Sequence, residues 1–244
     1  MISSKHFLKL FTAIILLSCT CVNSYAQNNS ESNSAQNGNT HEGSIDDLEV
    51  NPIRLPALQE VGGSPFLTSD YQTATIQTNK DKVVKEIPVR FNIYNNSMMV
   101  KMDDGQELKL ESFRFVSYDI TGSDGVVKQI HFQQGLPEVD NHNERSVYLV
   151  VSAGHKVQLL KYLSQKVEDA ATLGDYSRRE LVITEQLYIS VPGGAIKRIK
   201  ASKKDIVEAL PSMSAKIDEI SAANNLKLKT EAEIALLIEA LNKP

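Results

Sequence analysis

The residues of this sequence that could do chemistry are few, and the histidines come first. Four of them follow the N-terminal leader, namely His41, His131, His142 and His155. No HExxH motif or other close histidine pair occurs, although protein zinc sites draw on such spacings. The densest ligand-type run, residues 140–144, has no second ligand set nearby in the sequence. We therefore interpret it as a solvated loop, and we predict no metal site and no cofactor.

Acidic residues cluster at two glycine-containing positions, residues 103–105 and residues 119–125. A calcium-binding EF-hand needs ligands at alternate positions and a glutamate at the twelfth. Neither segment has that spacing. Asp, Asn and Gly are also the residues that tight turns require, so the two segments are predicted to be hairpin turns.

Nucleophilic catalysis lacks a local motif. There is no Gly-x-Ser-x-Gly elbow, and a Ser–His–Asp set could only assemble from distant residues, with His131 or His155 as the base. The Pro-Gly-Gly at residues 192–194 precedes a strand pattern, so it lacks the helix N-terminus that holds phosphate. The sequence therefore nominates no catalytic or cofactor-binding residue, and we expect a protein that is not an enzyme.

Residues 1–26 have the pattern of a secretory signal peptide. Lys5 and Lys9 start a short apolar stretch, and Ser24 and Ala26 are the small residues of a cleavage site. An alternative interpretation is a lipobox at residues 16–19, in which Cys19 would carry a lipid anchor. We favour the first, which predicts a periplasmic or secreted chain without cysteine and without a membrane span.

Charge argues against a nucleic-acid partner. Without Lys5 and Lys9 the chain has 24 basic and 30 acidic side chains, a net charge of −6, whereas nucleic-acid-binding surfaces are basic. One basic run exists: Lys197, Arg198, Lys200, Lys203 and Lys204. It is predicted to lie at a strand exit and on a solvated helix start.

Composition and periodicity divide the rest of the chain into three segments. Residues 27–60 are rich in Asn, Ser, Gln and Gly, which predicts a disordered spacer. Residues 61–200 alternate apolar and polar residues, which predicts an antiparallel β domain. Residues 201–244 change to helical periodicity. The fold class expected is mainly β: an antiparallel meander forming a sandwich or partly closed barrel, followed by two or three short α-helices.

Several local signals support this assignment. Ile87, Val89, Phe91 and Ile93 alternate with polar residues, and Pro88 among them suggests an edge strand or a strand start, because proline has no N–H to donate. Asn95 and Asn96 predict a tight turn. Residues 202–205 and 230–233 have the pattern of capping boxes, each of which predicts a helix start.

Three stretches carry a family resemblance: residues 63–67 (GSPFL), 89–100 (VRFNIYNNSMMV) and 187–210 (LYISVPGGAIKRIKASKKDIVEAL). They resemble a group of exported proteins of unknown function from Bacteroidetes-type bacteria. The resemblance covers roughly residues 60–244. Its motifs are structural, so it implies an envelope location and no activity, cofactor or site residue.

The function expected is that of a non-enzymatic envelope protein, a binding or assembly module whose partner is another envelope protein. A first alternative is a carrier of a small apolar ligand in a barrel-like sheet, lined by Met98, Met99 and Met102, since methionine suits adaptable apolar surfaces. A second is a hydrolase whose site the sequence motifs do not reveal.

Overall fold

The computed structural model describes residues 41–53, 58, 61–122, 124–169 and 179–243. These residues form thirteen strands and three α-helices. The strands are β1 (His41–Glu42), β2 (Glu49–Pro52), β3 (Val61–Gly62), β4 (Gln72–Gln77), β5 (Lys82–Asn92), β6 (Ser97–Lys101), β7 (Glu107–Ser112), β8 (Phe115–Thr121), β9 (Val127–Gln133), β10 (Tyr148–Ser152), β11 (Gln158–Asp169), β12 (Arg179–Ser190) and β13 (Ile196–Ile199). The helices are α1 (Lys203–Ala209), α2 (Ser214–Ala223) and α3 (Glu231–Asn242).

All thirteen strands belong to one open mixed sheet, which is not closed into a barrel. Its order is β13-β12-β11-β10-β9-β8-β4-β5-β6-β7-β2, with β1 beside β5 and β3 beside β12. The neighbours along the main path are antiparallel, and the two short side pairs are parallel. The predicted fold class, mainly β with C-terminal helices, is confirmed, whereas the partly closed barrel, one of the two arrangements expected for the sheet, is not formed.

The two faces of the sheet differ, and we call them inner and outer. The inner face carries two apolar cores. The first core lies on β4 to β9 and includes Phe91, Met98 and Phe132, each at most 1% exposed. The second core lies between β10–β13 and the three helices, where Ile234 and Leu237 have no exposed surface. The outer face is the opposite side of the same strands, and no helix covers it within the described residues.

Proline 88 lies inside the sheet rather than at its edge or at a strand start, which corrects the sequence prediction. It pairs with Thr73 of β4. The ladder between β5 and β6 begins only at Val89, so β6 requires no donor from Pro88. A β-bulge also precedes it, where Glu86 takes a positive φ of 60°. The strand is thus irregular where the missing donor falls.

The helices begin where the capping boxes predicted. The Ser202 hydroxyl accepts a hydrogen bond from the Asp205 amide, and the Thr230 hydroxyl accepts one from the Glu233 amide, both at 3.2 Å. These bonds satisfy amide donors that the first turn of a helix leaves free. The C-terminal end of α3 is held as well. The Asn242 side chain accepts from the amides of Lys156 and Val157 and donates to the Val157 carbonyl.

The predicted disordered spacer needs correction over part of its length. Residues 41–42 and 49–52 of that range belong to the sheet, because β1 pairs with β5 and β2 pairs with β7. Leu48 is buried in the first core at 7% exposure. The apolar residues that drive this pairing, Leu48 and Val50, are too few to stand out in the sequence. Residues 1–40, which include the predicted leader and Cys19, lie outside the described residues.

Residues 103–105 form a turn, as predicted, whereas the second acidic segment is a turn only beyond Thr121, because residues 119–121 belong to β8. Gly105 takes a φ of 85°, and the Asp104 side chain accepts a hydrogen bond from the Gln106 amide. Gly125 takes a φ of 77° between β8 and β9. Both glycines occupy the left-handed region, where residues with a Cβ are strained. Turn geometry therefore accounts for these residues.

Candidate functional site on the outer face

The outer face of β4, β8 and β9 carries side chains that form hydrogen bonds but are mostly uncharged. Thr75 faces Ser117 across the β4–β8 pair, and His131 faces Ser117 across the β8–β9 pair. Residues directly opposite one another in an antiparallel pair project to the same face. We call this region the outer polar patch. Its polar members are Thr73, Thr75, Gln77, Ser117, Asp119, Gln129, His131 and Gln133. Phe115 lies among them between Gln77 and Gln133, and the exposed Val127 lies at one end.

Within the patch, Ser117 and His131 form a hydrogen-bonded pair. The Ser117 Oγ and the His131 Nδ1 are 2.8 Å apart. Burial holds the pKa of His131 below its usual value, and the negative charge of Asp119 opposes this effect. Both factors act on an imidazole that is neutral near pH 7, and a neutral Nδ1 can accept the hydroxyl proton of Ser117. A nucleophile next to a base is one element of acyl-transfer chemistry.

A second cluster lies further along the outer face, where the loop between β9 and β10 folds over β10, β11 and β12. Residues 139–142 of this loop make a two-residue turn, with Val139 and His142 paired through both their amides and carbonyls. The central residues Asp140 and Asn141 have φ values of 49° and 66°. Asp and Asn tolerate this left-handed region better than other residues with side chains. We call residues 139–142 the histidine turn.

His142 sits on three tyrosines. Its ring stacks on Tyr162 of β11, with centroids 3.8 Å apart and planes inclined by 17°. Its Nδ1 lies 3.2 Å from the Tyr148 hydroxyl and 3.4 Å from the Tyr188 hydroxyl. Tyr148 and Tyr188 are at most 1% exposed. The turn therefore covers the hydroxyl groups of two buried tyrosines with a group that can change its protonation state near neutral pH.

Asp140 completes the contacts of the turn. Its Oδ2 lies 3.2 Å from the Tyr188 hydroxyl and 3.8 Å from an Arg198 guanidinium nitrogen. Tyr188 also lies 2.8 Å from Gln186 Oε1, so its single proton can serve only one of these two acceptors at a time. Burial and the neighbouring Asp140 carboxylate raise the pKa of the Tyr188 phenol, which keeps it protonated.

The two branches of the same loop enclose a depression of about 460 Å³. Its walls are backbone and polar side chains rather than a continuous apolar lining. The Arg145 guanidinium is already paired with Glu111 at 3.2 Å. The lining residues are Gly135, Leu136, Pro137, Glu138, Asn143, Glu144 and Arg145.

The structure separates the residues that the sequence analysis considered together. His41 is on the exposed strand β1, His155 is in the turn between β10 and β11, and His131 and His142 are on the outer face. Within the described ranges, no three His, Cys, Asp or Glu side chains lie close enough to hold a metal ion. The run at residues 140–144 is a surface loop, as predicted, but its histidine faces the sheet.

The proximity of Ser117 to His131 follows from strand register, which the sequence analysis did not specify. Both residues occupy polar positions of alternating strands, and a hairpin centred on Gly122–Val126 places them opposite each other. Counting back from that turn would have found the pair. The tyrosine cluster depends on register across three strands and on the loop conformation, for which the sequence carries no comparable signal.

In the comparisons with known proteins, no family model, no curated protein and no solved structure matches this chain. The resemblance to exported proteins of unknown function therefore stays a prediction. In the part of the chain that the structure describes, no helix is both long and apolar enough to cross a bilayer.

Proposed function

We propose that this chain is an exported, non-enzymatic envelope protein that acts as a binding or assembly module, and that the outer polar patch is its docking surface. The observation that carries the proposal is the composition of the patch. Thr73 and Thr75 on β4 and Gln129 on β9 are exposed on either side of β8, on a sheet face that no described helix covers. The export part of the proposal rests on the leader pattern of residues 1–26.

The chemistry of the patch indicates what kind of partner fits it. It offers hydroxyl and amide groups, which both donate and accept hydrogen bonds, and Asp119 is its one carboxylate. The charged groups at its edge are paired: Asp81, which accepts a hydrogen bond from Gln77, with Arg114 at 2.7 Å, and Arg90 with Glu107 at 3.4 Å. A partner with a polar but weakly charged surface would match this face, since unpaired charges are costly at an interface. We therefore commit to an envelope protein that presents such a surface.

Site-specific photo-cross-linking in intact cells tests this proposal. A photoreactive residue in place of Gln129 projects from the patch, and one in place of Glu219 projects from α2 on the helical side. We expect one defined cross-linked protein from the Gln129 position and none from the Glu219 position. The adduct should weaken when Thr75→Lys places a charge in the patch. Equal adducts from both positions, or none from either, would contradict the proposal.

The predicted location has its own test, the intact mass of the protein from soluble and membrane fractions. A soluble chain that starts at Gln27 is the expected result. A chain that starts at Cys19 and carries acyl groups would replace the soluble form with a lipid-anchored one.

A second candidate function, hydrolysis of an ester, is favoured by the contact between Ser117 and His131. In such a reaction Ser117 Oγ would attack the acyl carbon while His131 takes its proton and passes it to the leaving alcohol, and water would then release the acid. We rank it second because Asp119 makes no ion pair with His131 among the described contacts. An ester panel with the wild type, Ser117→Ala and the matched hydroxyl control Thr75→Ala tests it. Activity that only Ser117→Ala abolishes would move this candidate ahead of the first.

The carrier alternative has less support from the geometry. Met98 and Met99 are successive residues of β6, so they lie on opposite faces of the sheet. Met98 has no exposed surface and packs in the first core, whereas Met102 is only partly buried. The three methionines therefore do not line one cavity. Native mass spectrometry of protein taken gently from cells would detect a bound apolar ligand if the carrier function were correct.

A further inference from the structure

The histidine turn is fixed to the sheet through few groups. Its apolar contribution is Val139, which packs against the outer cluster around Tyr148 and Tyr188. Its polar contacts with the strands pass through the side chains of His142 and Asp140. The rest of the loop is anchored separately. The Gly135 amide donates to the Glu144 carbonyl at 2.8 Å, below the turn. The turn can therefore move while these lower contacts stay in place.

The groups that face His142 come from four strands and from the turn itself. They are Tyr148 on β10, Tyr162 on β11, Tyr188 and Gln186 on β12, Arg198 on β13 and Asp140 within the turn. Three are phenols, one is an amide, one is a cation and one is a carboxylate. The carboxylate favours a protonated histidine, and the cation disfavours it.

We propose that the histidine turn is a pH-operated cover: it lies closed on the three tyrosines while His142 is neutral, and it lifts from the sheet when His142 gains a proton. Lifting adds an aromatic surface, formed by Tyr148, Tyr162 and Tyr188, to the outer face. In its consequence for partner binding this inference rests on the proposed function. The movement itself does not depend on it.

The hydrogen-bond inventory explains why protonation opens the cover. A neutral His142 can accept the Tyr148 hydroxyl proton at Nδ1, while Tyr188 donates to Asp140 or Gln186. A protonated His142 can only donate. The Tyr148 hydroxyl then loses its acceptor in a position where the residue is only 1% exposed, and an unpaired buried donor is costly.

Desolvation acts in the same direction. Burial against the tyrosine rings lowers the pKa of His142 from its usual value, with Asp140 opposing and Arg198 adding to the effect. In the open state the imidazole is hydrated and has an ordinary pKa. Protons therefore bind the open state more readily than the closed one, and the closed state loses its advantage as the pH falls through and below about 6.5.

Hydrogen exchange of the full-length protein tests the movement. Amide protection of residues 139–142, corrected for the intrinsic exchange rate, is compared at about pH 7.5 and about pH 5. We expect protection to fall in the wild type, by about tenfold for each unit by which the two states differ in pKa. His142→Phe keeps the ring stacked on Tyr162 but cannot titrate, so its protection should not change with pH. His131→Gln removes the other half-buried outer-face histidine and should keep the wild-type response.

Two results would overturn the proposal. One is unchanged protection in the wild type over this pH range, and the other is a response that His131→Gln abolishes and His142→Phe retains. Cross-linking from the Gln129 position is recorded separately at both pH values. Loss of protection without any cross-linked partner would support the proposed movement of the turn and count against the proposed function. A cross-linked partner without loss of protection would support the proposed function and count against the movement of the turn.

Discussion

Two successive residues of β11, Lys161 and Tyr162, lie on opposite faces of the sheet and are held in opposite ways. Lys161 is on the inner face, with its side chain 3% exposed, and its ammonium lies 3.2 Å from Glu185 and 2.5 Å from Glu231. Tyr162 is on the outer face under the ring of His142. The inner contact thus joins a buried cation to two carboxylates, whereas the outer contact depends on an imidazole whose pKa is lowered by burial.

This difference indicates which contacts hold elements of the molecule rigidly together and which allow local movement. Glu231 lies in the first turn of α3, where a carboxylate also favours the helix N-terminus. Lys161 therefore ties β11, β12 and the last helix together through buried charge. The histidine turn has no such tie, because its polar contacts with the strands are made by two side chains of one short turn. We expect β11, β12 and α3 to unfold together, and we expect the histidine turn to detach from the sheet without unfolding the rest.

Removal of the Lys161 ammonium should have the largest effect. In Lys161→Ala, Glu185 and Glu231 lose their common counter-charge, and breaking a buried ion pair costs about 3–5 kcal/mol. Both carboxylates retain some exposure to water, 32% and 31% of their side chains. We therefore expect the lower part of that range, about 3 kcal/mol. Urea unfolding followed by circular dichroism measures it.

Lys166→Ala is the matched control on the same strand. Lys166 pairs with Glu168 at 2.5 Å, but its side chain is 65% exposed. Exposed pairs contribute at most about 1 kcal/mol, so this variant should unfold almost as the wild type does. Similar losses of unfolding free energy in the two variants would mean that the buried ion pairs of Lys161 contribute no more than a surface pair.

The contact between α3 and the β10–β11 turn should give the second largest effect. A Cβ at Gly154 would overlap the Asn242 side chain, which makes hydrogen bonds to Lys156 and Val157. Gly154→Ala should therefore cost about 2 kcal/mol in the free energy of unfolding. In the background of Asn242→Ala the same change should cost much less. Additive losses in the double variant would show that the clash is not with Asn242.

The sequence predicted the elements better than their arrangement. Alternation found the strands around Phe91 and Met98, and the capping residues Ser202 and Thr230 marked the helix starts, because these signals are local. The two short parallel pairs were missed. Strand β3, for instance, has only two residues, Val61 and Gly62, and its pairing with Arg179 joins positions far apart in the chain. No local pattern encodes such a contact.

The candidate site illustrates the same limit. The histidines were considered as metal ligands and, for His131 and His155, as a general base, but the partner of each depends on register or loop conformation. Asn96 is a similar case. Its turn was predicted, whereas its side chain bonds to the Val147 amide at 2.8 Å and to the Leu163 carbonyl at 3.3 Å. A residue chosen for a turn thus also links distant strands, which only the assembled fold reveals.

Acid should cause two separate losses of stability, one from the outer-face histidines and one from the carboxylates at the helix starts. Burial lowers the pKa values of His131 and His142, so their contribution is present above about pH 6.5 and is lost as the pH falls through their folded pKa values. Hydrogen bonds lower the pKa values of Asp205 and Glu233. Their contribution is present above about pH 4 and is lost at lower pH.

Urea midpoints between about pH 8 and about pH 3 measure these two losses. The combined variant His131→Gln, His142→Phe should lose the step that begins below about pH 6.5 and keep the acidic one. Asp205→Asn should diminish the acidic step alone. A single loss below about pH 4 in the wild type would contradict the assignment of buried neutral histidines.

The smallest effect, and the only stabilising one, is expected at the bulge of β5. Glu86 is exposed and has a φ of 60°, a conformation that glycine adopts without strain. Glu86→Gly should therefore raise the free energy of unfolding by up to about 1 kcal/mol. Asn96 also has a positive φ, of 46°, but Asn96→Gly removes its bonds to Val147 and Leu163 and should lower stability by about 1 kcal/mol. Thermal unfolding of both variants decides the point: opposite signs mean that backbone strain dominates at Glu86 and side-chain bonding at Asn96, whereas equal signs would refute the distinction.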